Sequence, residues 1–230
     1  SDLDVSNVTD MRGMFYNCTE FNADLSKWNV SNVTNMQTMF NNCFTFNGDL
    51  SKWNVSSVTN MKHMFASCFA FDADLSKWNV SNVENMEAMF FACTKFKGTG
   101  LSTWNVSNVH NMDSMFGDCE QFDSNLGHWD VSIVYYMGNM FRGCKNFNAD
   151  LSSWDVSKVT TLENTFENCK KFTSDLSHWN VSNVLNMSCT FLGCPKFKSD
   201  LSGWDTSRLA TAYGIFKDCP KMTNDLKPKL

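Results

Sequence analysis

The eight tryptophans stand at 28, 53, 78, 104, 129, 154, 179 and 204, and every interval is 25 residues except the 26 between Trp78 and Trp104. A fixed period of this length is the signature of a chain built by copying one short unit. A second ladder keeps step with the first: Cys18, Cys43, Cys68, Cys93, Cys119, Cys144, Cys169, Cys194 and Cys219. Leu3 holds the tryptophan position of an opening unit, so residues 1–230 read as one array of about nine 25-residue repeats. The extra residue between Trp78 and Trp104 falls in the stretch Lys97, Gly98, Thr99, Gly100. The array starts inside a unit and ends at Leu226 without a distinct polar closing element, so a segment of a longer array is expected, with possible end-to-end or assembly contacts at uncapped ends.

Within the second unit the apolar columns are Leu25, Trp28, Val30, Val33, Met36, Met39, Phe40, Cys43 and Phe46. Their spacing is two near Trp28 and three or four afterwards, which is neither a strand nor a helix throughout. The spacing predicts a coil: a short strand around Trp28 to Val30, a bend, then a helical or 3-10 turn around Met36 to Cys43. One such coil has a single layer of side chains and cannot bury it alone. Stacking at the strand spacing of about 4.8 Å would close the core, form a parallel sheet and set like side chains on like.

The segment L25-S-K-W-N-V has the L-x-x-L-x-L form of leucine-rich repeats, and M39-F-N-N-C resembles the A-F-x-x-C of the BspA-like bacterial subgroup. The whole unit resembles the 25–26-residue repeat of bacterial surface lipoproteins and adhesins. That resemblance implies a right-handed leucine-rich-repeat-like solenoid, with short parallel strands on one face and short helical or 3-10 turns on the other. It also implies a cell-surface or secreted setting. Val33 and its equivalents stand where ordinary leucine-rich repeats place a ladder asparagine, so the bend after the strand is expected to differ.

The polar columns read as turn chemistry. Ser31 and its equivalents follow the expected strand, where a serine can fix a bend through the backbone. Asp24, Asp49, Asp74, Asp150, Asp175, Asp200 and Asp225 precede the leucine of each following unit, where a carboxylate can take up backbone N–H groups. A calcium site between coils is the alternative for that row, but the dense glycine and aspartate runs of calcium-binding repeats are missing. Asn29 and its equivalents are expected to face solvent, with Asp130 and Asp155 as neighbours. The cysteines recur where a small hydrophobe is wanted and read as buried free thiols; disulfides between neighbouring coils are the other reading. Cys189 replaces a variable residue and is the candidate for reactivity.

Catalysis needs unlike groups gathered at one point, whereas copied units make stripes. The histidines His63, His110, His128 and His178 lie in variable columns, and there is no phosphate-binding glycine loop, H-E-x-x-H or G-x-S-x-G. No catalytic residue, cofactor or metal is assigned, and an enzyme is not expected. A net charge of -5 argues against nucleic acid, and no apolar run is long enough for direct membrane insertion.

Function is therefore sought where one copy differs from another. Tyr16, Phe44, Phe69 and Phe91 replace small or polar residues flanking the cysteine ladder, and Ile133, Tyr135 and Tyr136 interrupt the usual bend. These seven are the candidate partner-binding residues, with packing against a neighbouring column as the other reading. Lys27, Lys52 and Lys77 form a basic stripe that reads as a solvated row. A surface recognition or adhesion module binding a protein or glycan is the expected function, with a structural scaffold or spacer as the alternative.

Overall fold

The computed structural model describes residues 3–230. Within each repeat, neighbouring amides point in different directions. In the second repeat Met36, Thr38, Phe40 and Asn42 donate their backbone N–H groups at 2.9 Å to the carbonyls of Asn60, Lys62, Met64 and Ala66, one repeat ahead. The residues between them turn inward instead: Met39 donates to Met36 at 3.2 Å, Asn41 to Thr38 at 3.2 Å and Cys43 to Phe40 at 2.9 Å. Each turn is closed locally while its alternate amides lash it to the next repeat. A reverse bond, from Thr59 N–H to the Thr34 carbonyl at 2.9 Å, ties the same repeats from the other side of the Asn35 column. Isolated parallel bridges join that column along the chain, from Asp10 and Asn35 to Asn186 and Thr211. The repeats therefore lie one upon another in register.

This architecture corrects the expected fold. Among the described residues there is no β-strand and no α-helix, and the two 3-10 helices, Leu101–Thr103 and Asn224–Leu226, are three residues each. A right-handed leucine-rich-repeat-like solenoid, with a strand face and a helical face, is not what the chain forms. The reason lies in the backbone. At the expected strand, Trp28 N–H closes a turn on Leu25 at 3.0 Å and Val33 N–H closes one on Val30 at 2.9 Å, so neither enters a ladder. At the expected helical turn, Thr38 and Asn42 have φ of 55° and 62°, in the left-handed region. A left-handed residue ends any right-handed helical run at a cost of about 1–2 kcal/mol. Ser67, Ala92, Asn139, Asn164 and Asp218 occupy the same two columns with positive φ, as do Gly13 and Gly214. Small and short polar residues dominate these columns because bulky ones tolerate that conformation least.

Short polar side chains hold the remaining corners. Asp49 Oδ1 accepts from Ser51 N–H at 2.9 Å, Asn54 Oδ1 from Ser56 N–H at 3.1 Å, and Asn60 Oδ1 from Lys62 N–H at 3.0 Å. The same three brackets recur in the next repeat at Asp74, Asn79 and Asn85. Each bracket satisfies a donor that turn geometry leaves without a backbone partner. The serine of the motif thus serves each bracket through its backbone N–H.

The nine apolar columns form one core. Leu25, Val30, Val33, Met36, Met39, Phe40, Cys43 and Phe46 are buried, as is Trp28 at the edge. Phenylalanines make the tight contacts: Phe40 and Phe46 lie 4.2 Å apart within a repeat, and Phe40 meets Phe65 of the next at 5.5 Å with rings almost parallel. Tryptophan rings are parallel but wider, 6.4 Å between Trp78 and Trp104. Their stronger link is polar, since Trp53 Nε1 donates to the Leu25 carbonyl at 3.1 Å and Trp78 Nε1 to Leu50 at 3.0 Å. The cysteine ladder does the same with sulfur: Cys68 Sγ donates to the Phe40 carbonyl at 3.0 Å and Cys93 Sγ to Phe65 at 3.0 Å.

The extra residue of the fourth repeat is absorbed at Gly98 and Gly100, with φ of 83° and 88°. A Cβ on Gly100 would lie 2.3 Å from the Ser76 backbone nitrogen, so a side chain cannot fit there. The 3-10 turn Leu101–Thr103 follows, and register is restored at Trp104, whose Nε1 donates to Leu75 at 3.1 Å. No helix in the described chain is long and apolar enough to cross a membrane.

Two outcomes are expected from this core. Trp129 is buried, and its Nε1 donates to the Leu101 carbonyl at 3.0 Å. Trp129→Ala removes the ring and that donor, and should destabilise the protein by about 3–5 kcal/mol. Because each repeat touches only its neighbours, the calorimetric transition should also broaden or split. A variant that melts like the parent would sink this account of the core. The thiols provide the second test: all ten are free, eight are buried, Cys189 is half-buried and Cys18 is exposed. A thiol reagent should label Cys18 and Cys189 in native protein and all ten after denaturation without reductant. Burial, then Glu167 and Glu163, push the Cys189 thiol up from its ordinary range, so its labelling should speed up as pH rises. Mass evidence for bonded pairs would overturn the assignment.

Candidate functional site

With the core columns turned inward, the remaining side chains form rows along the outside of the stack. Phe44 and Phe69 occupy one row, one residue after the ladder cysteine. Their rings stack at 4.9 Å and 24°, and they are 37% and 41% exposed. Each backbone position is fixed by the turn closing behind it, Cys43 on Phe40 and Cys68 on Phe65, both at 2.9 Å. Tyr16 belongs to a different row, before the left-handed Asn17, and is 51% exposed. It borders an open cavity of about 610 Å³ that also takes in Arg12, Gln37, Asn41, Lys62 and His63. Phe91 shares the Tyr16 row but is only half exposed, and its ring lies over the backbone of the next repeat. A Cβ at Gly117 would come within 3.0 Å of Phe91 Cδ2. The structure thus joins Phe44 with Phe69, leaves Tyr16 standing free and lays Phe91 down against its neighbour.

Charge around the cavity is largely paired. Lys62 Nζ meets Glu87 Oε2 at 2.8 Å, and His63 Nε2 lies 3.6 Å from Glu87 Oε1. Burial lowers the His63 pKa and outweighs the pull of Glu87, so the ring is held toward its neutral form. Among the described residues no group of three or more His, Cys, Asp or Glu is placed to hold a metal ion. The aspartate row, the alternative position for calcium, is engaged in turns. The Ser51 hydroxyl and N–H hold the Asp49 carboxyl below the usual range, and the Ser76 N–H and hydroxyl do so for Asp74.

The second set lies at the bend. Tyr135 and Tyr136 are 40% and 51% exposed, and Ile133 is half-buried. Tyr136 replaces the bracketing asparagine of the bridge column, yet the parallel bridges to Asn111 and Thr161 persist, because they use the backbone. Tyr135 faces His110 in the preceding repeat, with ring centroids 6.4 Å apart and planes within 4°. On its other side is a cavity of about 330 Å³ walled by Tyr135 and Leu185, with Thr160 between them and Lys158, Asn183 and Arg208 alongside. Leu185, 42% exposed, and Arg208 were not singled out by sequence. The signal was available, since Leu185 holds the Tyr135 column two repeats on, where the usual residue is threonine. Lys27, Lys52 and Lys77 are exposed and in no ion pair within the described chain.

Comparison with known proteins bears on these surfaces only weakly. No curated protein matches the sequence. Among solved structures, a leucine-rich repeat protein from Bacteroides ovatus is 13% identical over 84% of this chain and 72% of its own, with a TM-score of 0.26. A leucine-rich repeat protein of Leptospira interrogans is 8% identical over 74% of this chain and 57% of its own, with a TM-score of 0.24. The mouse RP105/MD-1 complex is 9% identical, covering 74% of this chain and 35% of that one, with a TM-score of 0.29. Likeness of this order leaves fold and function to be argued from the chain itself. The resemblance to BspA-like surface-protein repeats is corrected by the family model that does match, described as "Mycoplasma protein of unknown function, DUF285". It matches residues 1–101, 73–160 and 139–229, so the chain belongs to the DUF285 family.

Proposed function

We propose that the protein works by non-catalytic binding, with a protein or glycan as the class of partner. The expected surface recognition or adhesion module, and its alternative of a scaffold or spacer, both presupposed a solenoid presenting a broad sheet. With no strand among the described residues there is no such sheet, and both readings are withdrawn. The observation that carries the present reading is the stacked pair Phe44 and Phe69, held open to solvent on a rigid edge. Aromatic side chains on a fixed backbone lose little freedom on binding and dominate the energy of many interfaces. Tyr16 beside its cavity, and Tyr135 with Ile133 and Tyr136 at the bend, are secondary contacts in this proposal; Phe91, laid against Gly117, packs on its neighbouring repeat instead. A cell-surface or secreted setting is compatible with the thiols, because eight of ten are buried away from oxidants.

Changing Phe44 and Phe69 together to Ser should leave the melt close to the parent, since both rings are outside the core. It should weaken a captured partner by more than about 2 kcal/mol, read by titration calorimetry or surface binding. The matching change of Lys27, Lys52 and Lys77 to Ser should alter salt dependence more than affinity. Loss of the partner in the lysine variant alone would refute the aromatic edge.

A further inference from the structure

Basic residues are unevenly distributed along the stack. From Lys170 onward there are nine Lys and Arg against five Asp and no Glu, in a chain whose formal net charge is -5. In the earlier repeats several basic side chains of the outer rows face acids one repeat away, and the unpaired row Lys27, Lys52 and Lys77 stands beside Asp24, Asp49 and Asp74, whose charges offset it. Lys97 reaches Asp72 Oδ2 at 2.5 Å, Lys145 reaches Glu120 at 2.7 Å, and Arg142 lies 3.2 Å from both Asp118 and Glu167. That pattern stops in the last three repeats. Lys171, Lys196 and Lys221 follow at intervals of 25 in a single row, so Lys196 has a lysine on either side where its predecessors had an acid. Lys198 is flanked by Thr173 and Thr223, and Lys217 by Leu192. All five are exposed, and none makes an ion pair within the described chain. Lys170 is exposed too, its Nζ donating to Asn168 Oδ1 at 2.8 Å and to the Gly193 carbonyl at 3.0 Å.

The nearest acids do not cancel this field. Asp175 and Asp200 bracket Ser177 and Ser202 N–H at 3.0 and 3.1 Å, Asp225 is held by Thr223, and Asp218 stands singly beside Lys217. Successive repeats at about 4.8 Å hold the three lysines of the row closer together than the Debye length of about 8 Å at physiological salt. Like charges so placed repel, and a rigid backbone cannot part them.

We propose that this lysine field is a docking surface for an anionic membrane, resting on a layer of acidic phospholipid headgroups. The field spreads over several rows and three repeats as an open face, with a cavity of about 410 Å³ where Lys198 stands beside Asp175 and Asp200. Within the last three repeats these rows carry no exposed aromatic ring on which a base could stack and no guanidinium fork for a fixed phosphate or carboxylate; the exposed Tyr213 and Arg208 stand in other rows. Lysines of this kind act as point charges, and mobile headgroups can rearrange beneath them. Each contributes additively when brought within a Debye length of an anionic leaflet.

The test is cosedimentation of the whole chain with vesicles of phosphatidylcholine alone or mixed with phosphatidylglycerol, across a salt series. Binding should require phosphatidylglycerol and disappear toward 1 M salt, where the Debye length falls to about 3 Å. The triple variant Lys171→Gln, Lys196→Gln, Lys221→Gln should lower partitioning by about 100-fold. A charge-matched control, Lys27→Gln, Lys52→Gln, Lys77→Gln, should bind as the parent does, and both should melt like it. Equal loss in the control would mean net charge and not this face is responsible, overturning the proposal. So would undiminished binding by the first variant, no binding at low salt, or tighter capture by sulfated polysaccharide or duplex DNA than by vesicles.

Discussion

Alternating amide direction in the segment from Met36 to Asn42 is the constraint on which the stack depends. Every second N–H leaves the repeat and every other one closes a turn within it. A strand would send its hydrogen bonds sideways over a continuous run, and a helix would keep them all at home. This chain does neither, because left-handed residues four apart reverse the backbone before either pattern can extend. The left-handed conformations are unfavourable locally, so the repeat needs its neighbour. Three or four lashings per interface and a buried layer of phenylalanine, tryptophan and methionine supply the compensation.

The polar columns follow from the same constraint. A chain made of turns leaves donors that no ladder collects, and buried or half-buried donors without partners are costly. Aspartate and asparagine placed two residues ahead of each such donor collect them, which is why these columns are so regular. The carboxylates involved are held below their usual range by hydrogen bonds from serine, as at Asp24 and Asp200. Tryptophan Nε1 and cysteine Sγ, each reaching a carbonyl of the preceding repeat, extend the same accounting into the core. A ladder that could pass for a disulfide framework in sequence is therefore a set of weak internal donors.

What could be read from sequence was the inside of the molecule. Leu25, Trp28, Val30 and the columns after them were legible because burial selects by hydrophobicity, and a 25-residue period aligns nine examples of each choice. The backbone was not legible. The spacing of Leu25, Trp28 and Val30 fits a strand as well as it fits two consecutive turns, and side-chain pattern alone does not separate them. The left-handed columns hold Thr38, His63, Ala88, Ser114 and Asn139, which share small or polar character but no identity that announces a turn. Of the candidate surface, exposure of Tyr16, Phe44 and Phe69 could be anticipated from their departure from the repeat. The lodging of Phe91 over Gly117 could not, since it depends on a missing side chain one repeat away.

Rigid repetition also explains why charge on this protein is informative. On a flexible surface an unpaired lysine swings toward the nearest acid, and its isolation in sequence says little. Here each row is fixed by backbone lashings, so a side chain meets chiefly the residues 25 before and after it. Lys97 and Lys145 find acids there, whereas Lys196 finds Lys171 and Lys221. Substitution of a single acid in either flanking position would relieve the repulsion, as it does elsewhere in the stack. Three lysines in line without acids between them form a repulsive row, which the proposed layer of anionic headgroups would offset from outside.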